Sequence, residues 1–148
     1  MNFKGTVKIR APREKVWNFL TDPNQIASCA PGLESVEILE PNEKFRAVAS
    51  VGFGAVKVRF VTDATWMGLE PPNRARMKFH GKAPGSAVDG TSEMVLSDGD
   101  SPAETVLHWS SDVAVVGTIA SLAARLMGPV TQKLTDAFFE SVRKKIEE

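Results

Sequence analysis

Apolar residues recur at every second position along most of the chain, and only in two stretches does their spacing widen to three and four. The opening MNFKGTVKI sets Phe3, Gly5, Val7 and Ile9 against Lys4, Thr6 and Lys8, the period of a half-buried strand. In APREKVWNFL the period changes. Pro12 at the first helical position, Arg13 and Glu14 in the first turn, and Val16, Trp17, Phe19 and Leu20 beyond them predict a short helix ending before Asp22-Pro23. A second helix of about two turns is expected from Pro23 to the Pro31-Gly32 stop, too short to stand without packing on something. Over residues 33–116 alternation returns as six strands, broken by turn chemistry at EPNEK, VGFGA, EPPNR, GKAPGS and SDGDSPA. The inner face includes Phe45, Val56, Val58, Phe60, Ala64, Trp66, Ala75, Met77, Phe79, Met94, Leu96, Leu107 and Trp109; Lys57, Arg59, Asp63, Arg76 and Lys78 fall on the wet face. Residues 118–148 place Ile119, Leu122, Leu126, Val130, Leu134 and Phe138 at steps of three and four, a long amphipathic helix of about 45 Å if unbroken.

Strand, two helices, six strands and a helix have one economical arrangement. It is an α+β fold: a seven-stranded curved antiparallel sheet wrapped around the long C-terminal helix, with the two short helices between strands 1 and 2 closing the concave side. A chain of 148 residues fits one domain, 1–148. Lys plus Arg and Asp plus Glu both total 18, so no global field draws the chain to nucleic acid. One cysteine cannot form an internal disulfide, and neither a signal segment nor an apolar run of about 18 residues is visible, so a soluble cytoplasmic protein is expected.

Candidate chemistry is sparse. Cys29 lies near a helix C-terminus, where the dipole disfavours a thiolate, and no base obviously faces it; a packed or cavity-lining thiol is the expectation. His80 and His108 have outward parity on their strands, so with one thiol they supply no converging metal ligands. Asp89, Glu93 and Asp112 read as solvated partners of Arg and Lys rather than as an acid-base pair. VGFGAVKV lacks the spacing of a phosphate cradle and reads as a hairpin turn. Shape remains. Ala47, Ala49, Ala64, Ala75, Gly90, Ser92, Ala120 and Ala123 interleave with Trp66, Met77, Phe79, Met94 and Trp109, small residues beside aromatic and sulfur side chains, which suits an apolar cavity for a flat hydrophobic ligand.

The element order, together with APREKVWNFLTDP, CAPG after the second helix, the paired prolines after strand 4 and KLTDAFFESV, resembles the helix-grip superfamily of START and Bet v 1-like proteins. Within it the chain resembles the CoxG family, the G component of carbon monoxide dehydrogenase, over essentially its whole length. The resemblance implies a non-catalytic carrier without a cofactor. Its ligand would be a respiratory quinone, menaquinone or ubiquinone, and its partner a molybdenum hydroxylase of the carbon monoxide dehydrogenase type, met at the inner face of the cytoplasmic membrane. Family members often continue into a polar, membrane-associating tail, whose functions are not carried over to a sequence ending at Glu148. The rival functions are an assembly or membrane-recruitment adaptor with an idle cavity and, third, a polyketide-cyclase-like enzyme, which would need a buried acid-base pair.

The expected ligand-binding residues are Phe60, Trp66, Met77, Phe79, Met94 and Trp109 from the sheet, and Leu122, Leu126 and Val130 from the long helix. Alternate turns of a meander lie at alternate ends, so VGFGA, GKAPGS, Gly117 and CAPG share the glycine-rich end, where the mouth is expected with Phe53 as an exposed apolar tip. Gly128-Pro129 should bend or loosen the long helix, and residues 117–128 would swing there as a lid.

Overall fold

Alternation along the chain becomes sheet in the computed structural model, which describes residues 1–147. β1 (Asn2–Ile9) leads into α1 (Arg13–Leu20) and α2 (Pro23–Ala27). Then come β2 (Leu33–Glu40), β3 (Lys44–Phe53), β4 (Val56–Glu70), β5 (Arg74–Ala83), β6 (Ser86–Asp98), β7 (Thr105–Gly117) and α3 (Ala120–Ile146). The strands form one antiparallel sheet in the order β1-β7-β6-β5-β4-β3-β2, so the meander is closed by β1 pairing with β7. The expected helix-grip arrangement is the one found: a curved seven-stranded sheet, a long C-terminal helix, and two short helices between β1 and β2. No helix among the described residues is long and apolar enough to cross a membrane.

Local chemistry fixes the short helices. Pro12 stands at the N-cap of α1, one residue before its expected place, and offers no side-chain cap. Arg13 takes over the anchoring: its Nε donates to Asp98 Oδ1 at 2.9 Å and its Nη1 to Asn73 Oδ1, tying the start of α1 to the β6–β7 and β4–β5 turns. α2 is a five-residue helix, shorter than expected; Asp22 caps it by accepting from the Asn24 amide at 3.0 Å. Thr105, fully buried, donates its hydroxyl to the Ala11 carbonyl at 2.7 Å and holds the β1–α1 corner onto β7.

The core is divided in two. At the proline-rich end, Ile9, Val16, Leu20, Leu96 and Leu107 pack with Phe139, Val142 and Ile146 from the last turns of α3. At the glycine-rich end, Phe53, Val58 and Phe60 pack with Ile119, Leu122, Leu126 and Val130 from its first turns. α3 serves both clusters as one continuous helix that takes Pro129 into its length, so no break occurs at Gly128-Pro129.

Phe53 is only 2% exposed, which corrects its reading as an apolar tip. The β3–β4 turn is just Gly54-Ala55, with Gly54 at φ +64, so Phe53 still pairs as a strand residue and turns into the core. Val56, expected inside, is instead 47% exposed at the tip of that hairpin. In β4 a register shift between Trp66 and Gly68 throws Met67 out to 54% exposure and brings Leu69 against the first cluster.

Candidate functional site

Between the two clusters the inner face of the sheet is not filled. Along β5 the sequence of inward residues runs from Ala75 in the first cluster, through Met77, to Ala83 in the second; along β6 it runs from Leu96 through Met94 and Ser92 to Val88. The middle of this path is a cavity of about 430 Å³. Its sheet wall is Trp66, Ala75, Met77, Ser92, Met94, Leu107 and Trp109, its roof is Leu134, Thr135, Phe138 and Phe139 of α3, and its side is Leu20, Ile26, Ala30 and Pro31. Glu93 and Ser110 also border it but alternate with inward neighbours. The Glu93 carboxylate is held by Arg74 Nη2 at 2.7 Å and Arg76 Nε at 3.7 Å. Ser92 Oγ is paired with Ser111 Oγ at 2.9 Å.

The structure therefore brings together Trp66, Met77, Met94 and Trp109 and leaves out the other expected residues. Phe60, at 8% exposure, belongs to the glycine-end cluster with Leu122, Leu126 and Val130, and these four side chains fill that end instead of lining the cavity. The three from α3 sit on the correct helical stripe one or more turns too early. Phe79 lines neither the cavity nor the glycine-end cluster: its ring lies over its register partner Gly90 on β6, where a Cβ would collide with it. Sequence reasoning misses Leu134 and Phe138 as site residues although both lie on the apolar stripe of α3, and Thr135 carries no apolar signal at all.

The mouth differs from expectation in the same way. Of the four glycine-end segments only CAPG reaches the cavity, through Ala30 and exposed Pro31. The VGFGA and GKAPGS hairpins and Gly117 do not line it, because Phe53 and its neighbours plug that end. On the opposite flank, Trp109, Thr135 and Phe139 also line a polar groove of about 790 Å³ running between β1 and α3. These three side chains are the wall shared by groove and cavity.

Cys29 is 5% exposed in the first cluster, with Ser28 Oγ at 3.8 Å from its sulfur, a packed thiol. His80 bonds Asp89 on the convex face, and His108 Nδ1 lies 3.1 Å from Thr6 Oγ1. Asp112 lies 3.8 Å from the N-terminal amine. Asp63 is bound by Arg46 at 2.7 Å and 3.2 Å, a charge-assisted pair that holds its carboxyl below the usual range. Among the described residues no group of three or more His, Cys, Asp or Glu is placed to hold a metal ion.

A curved antiparallel sheet gripping a long helix over an apolar cavity defines a START-like protein, and solved structures agree. A conserved protein from Geobacillus kaustophilus is similar at a TM-score of 0.89 and 25% identity, covering 99% of this chain and 95% of that one. A START superfamily protein from Mycobacterium smegmatis matches at 0.71 and 14%, over 98% of both chains. The Zhui aromatase/cyclase from Streptomyces sp. R1128 matches at 0.76 and 19%, covering 99% and 93%. No curated protein matches the sequence. The profile of the CoxG family, the G component of carbon monoxide dehydrogenase, matches residues 5–147, and the chain belongs to that family.

Proposed function

We propose that this protein, acting as one unit over residues 1–148, carries a respiratory quinone, menaquinone or ubiquinone, between the cytoplasmic membrane and a molybdenum-containing carbon monoxide dehydrogenase, without catalysing a reaction itself. The observation that carries the reading is the cavity. At about 430 Å³ it lies within the size range of small-molecule sites, and its wall is built from Trp, Met, Leu and Phe side chains on rigid elements. Both histidines point away from it on the convex face, so its lining supports binding better than proton transfer. The family supplies the dehydrogenase as partner.

The membrane side of the proposal has support in the charge distribution. Residues 50–62, 81–88 and 113–135 contain no Asp or Glu, yet carry Lys57, Arg59, Lys82, Arg125 and Lys133. The β3–β4 and β5–β6 hairpins, the end of β7 and the first half of α3 bring these segments to one end of the sheet. The remaining thirteen basic residues share the rest of the chain with all eighteen acidic ones. Glu34 at the start of β2 pairs with Arg59 at 2.8 Å, which leaves Lys57, Lys82, Arg125 and Lys133 as the positive excess of that end, and each exposed cation near an anionic leaflet contributes about 1 kcal/mol. Val56 and Val116, 47% and 57% exposed, stand at the same end.

Native mass spectrometry of protein purified from its own host, followed by organic extraction, tests the reading. A quinone in the extract supports it. Recovery of the dehydrogenase complex with this chain bound but ligand-free would favour the adaptor role instead.

A further inference from the structure

Trp109 occupies an unusual place on the sheet. Its register partner in β1 is Gly5, and a Cβ at Gly5 would lie 2.7 Å from Trp109 Nε1, 2.9 Å from Cε2 and 3.0 Å from Cζ2. Only a glycine leaves the indole room to lie across β1, and the edge that crosses is the one bearing the N–H. That edge sits where groove and cavity share their wall, with Thr135 and Phe139 of α3 opposite. Among the described residues no hydrogen bond takes up this N–H, and the nitrogen is not fully buried, so solvent reaches it.

The cavity side of this wall is apolar, while the groove side is polar and charge-balanced. Lys4, Arg143 and Lys144 face Asp136, Glu140 and Glu147, and Lys144 is already paired with Glu140 at 3.5 Å. A charge-balanced groove gives no net attraction to an anionic head. The indole N–H can only donate, and a threonine hydroxyl can donate as well. Elsewhere on the cavity wall, Ser92 is spent on Ser111 and the Glu93 carboxylate on arginines.

We infer that the seam between β1 and α3 is a head-group subsite, in which Trp109 Nε1 and Thr135 Oγ1 donate to a neutral oxygen acceptor of an amphiphile whose apolar part lies in the cavity. This deepens the carrier reading and rests on it: it assigns the ligand's orientation, with the polar end at the β1 seam and the tail directed towards Ile26 and Pro31. It also assigns the class of head, a carbonyl-bearing ring or comparable neutral acceptor, in preference to a carboxylate. Such a head would be the part of the ligand nearest solvent along the groove, where a partner enzyme could take it.

Three probes of one chain length test this by isothermal titration calorimetry: a decyl-substituted benzoquinone, decylbenzene and decanoate. The wild-type protein is expected to bind the quinone at least about tenfold more tightly than either other probe. Trp109→Phe keeps a ring and removes the donor; Thr135→Val keeps the shape and removes the hydroxyl. Each should remove most of the quinone's advantage while leaving decylbenzene within about twofold. Thr135→Val lies on the groove and guards against a folding defect in the tryptophan variant. Unchanged quinone binding in both variants, or tighter binding of decanoate, overturns the subsite while the carrier reading stands. Failure of all three probes to bind refutes the carrier reading and the subsite with it.

Discussion

Ser92 is the position where an empty cavity and a filled core give opposite signs of stability change. It stands on the middle of β6 between its register partners Met77 and Ser111, and its side chain lines the void. Ser92→Leu replaces one hydroxyl by three carbons. Burying them is worth about 0.8 kcal/mol each, or roughly 2.4 kcal/mol as an upper figure, since the unfolded chain already hides part of that surface. The loss is the Ser92–Ser111 bond of 2.9 Å, about 1 kcal/mol net. Ser111 is not orphaned by the change, because its hydroxyl also reaches the Thr91 carbonyl at 3.3 Å. The balance is a stabilisation of about 1 kcal/mol, with weaker binding of any hydrophobic ligand because the leucine occupies its space. In a tightly packed interior the same substitution would cost about 1–3 kcal/mol through strain. Urea unfolding followed by circular dichroism reads the difference as a change in midpoint at constant m. A midpoint lowered by the equivalent of about 1 kcal/mol would refute the cavity.

Quinone binding should quench tryptophan emission through Trp66 and Trp109. Together Trp66→Phe and Trp109→Phe should abolish the quench, whereas Trp17→Phe, in the first cluster away from the cavity, should preserve it; a quench that survives the double variant means the lining is wrong. Gly128→Ala with Pro129→Ala should raise stability, since Gly128 has open space around the position of a new Cβ and both residues are poor helix formers, and should slow ligand exchange with lipid vesicles; unaffected exchange would make Pro129 a packing feature only. The Arg46 bond lowers the carboxyl pKa of Asp63 in the folded state, so its stabilisation is present above the unfolded value and is lost as pH falls through the folded one. Asp63→Asn should therefore lower stability modestly at neutral pH and flatten the acid limb of the stability curve, because the pair is partly exposed; parallel wild-type and variant curves would exclude the linkage.

The sheet is legible in the sequence because alternation and turn residues agree at most of the hairpins. EPNEK, EPPNR and SDGDSPA all become turns, and Lys57, Arg59, Asp63, Arg76 and Lys78 lie on the convex side of their strands, away from the core face. Failures arise where periodicity carries no depth information. Leu122, Leu126, Val130, Leu134 and Phe138 occupy one stripe of α3, but a stripe does not say which level of a helix about 40 Å long crosses which part of the sheet. The first three levels plug the glycine-rich end, and the next two roof the cavity. Phe53 is misplaced by sequence reasoning because two flanking glycines make the turn look longer than its two residues. The polar wall of the site leaves no sequence signal, since Thr135 and Gly5 acquire meaning only from the way α3 and β1 meet around Trp109.

Division of the core into two clusters, joined by one helix across a void, bears on how the molecule comes apart. The glycine-end cluster is small, and its share of α3 contains Gly128 and Pro129, so its local opening should need less free energy than global unfolding. Amides in the first half of α3 and the β3–β4 hairpin should then exchange with solvent before those around Val142 and Ile146. An occupant of the cavity would touch the proline-end cluster through Phe139 and Leu107 and brace α3 at Leu134, one turn beyond Val130 of the glycine-end cluster. By mass action, binding stabilises only the conformations that contain the filled site. Loading would thus weld two semi-independent folding units into one cooperative transition, and a carrier that has discharged its cargo would reveal it in the spread of its exchange rates.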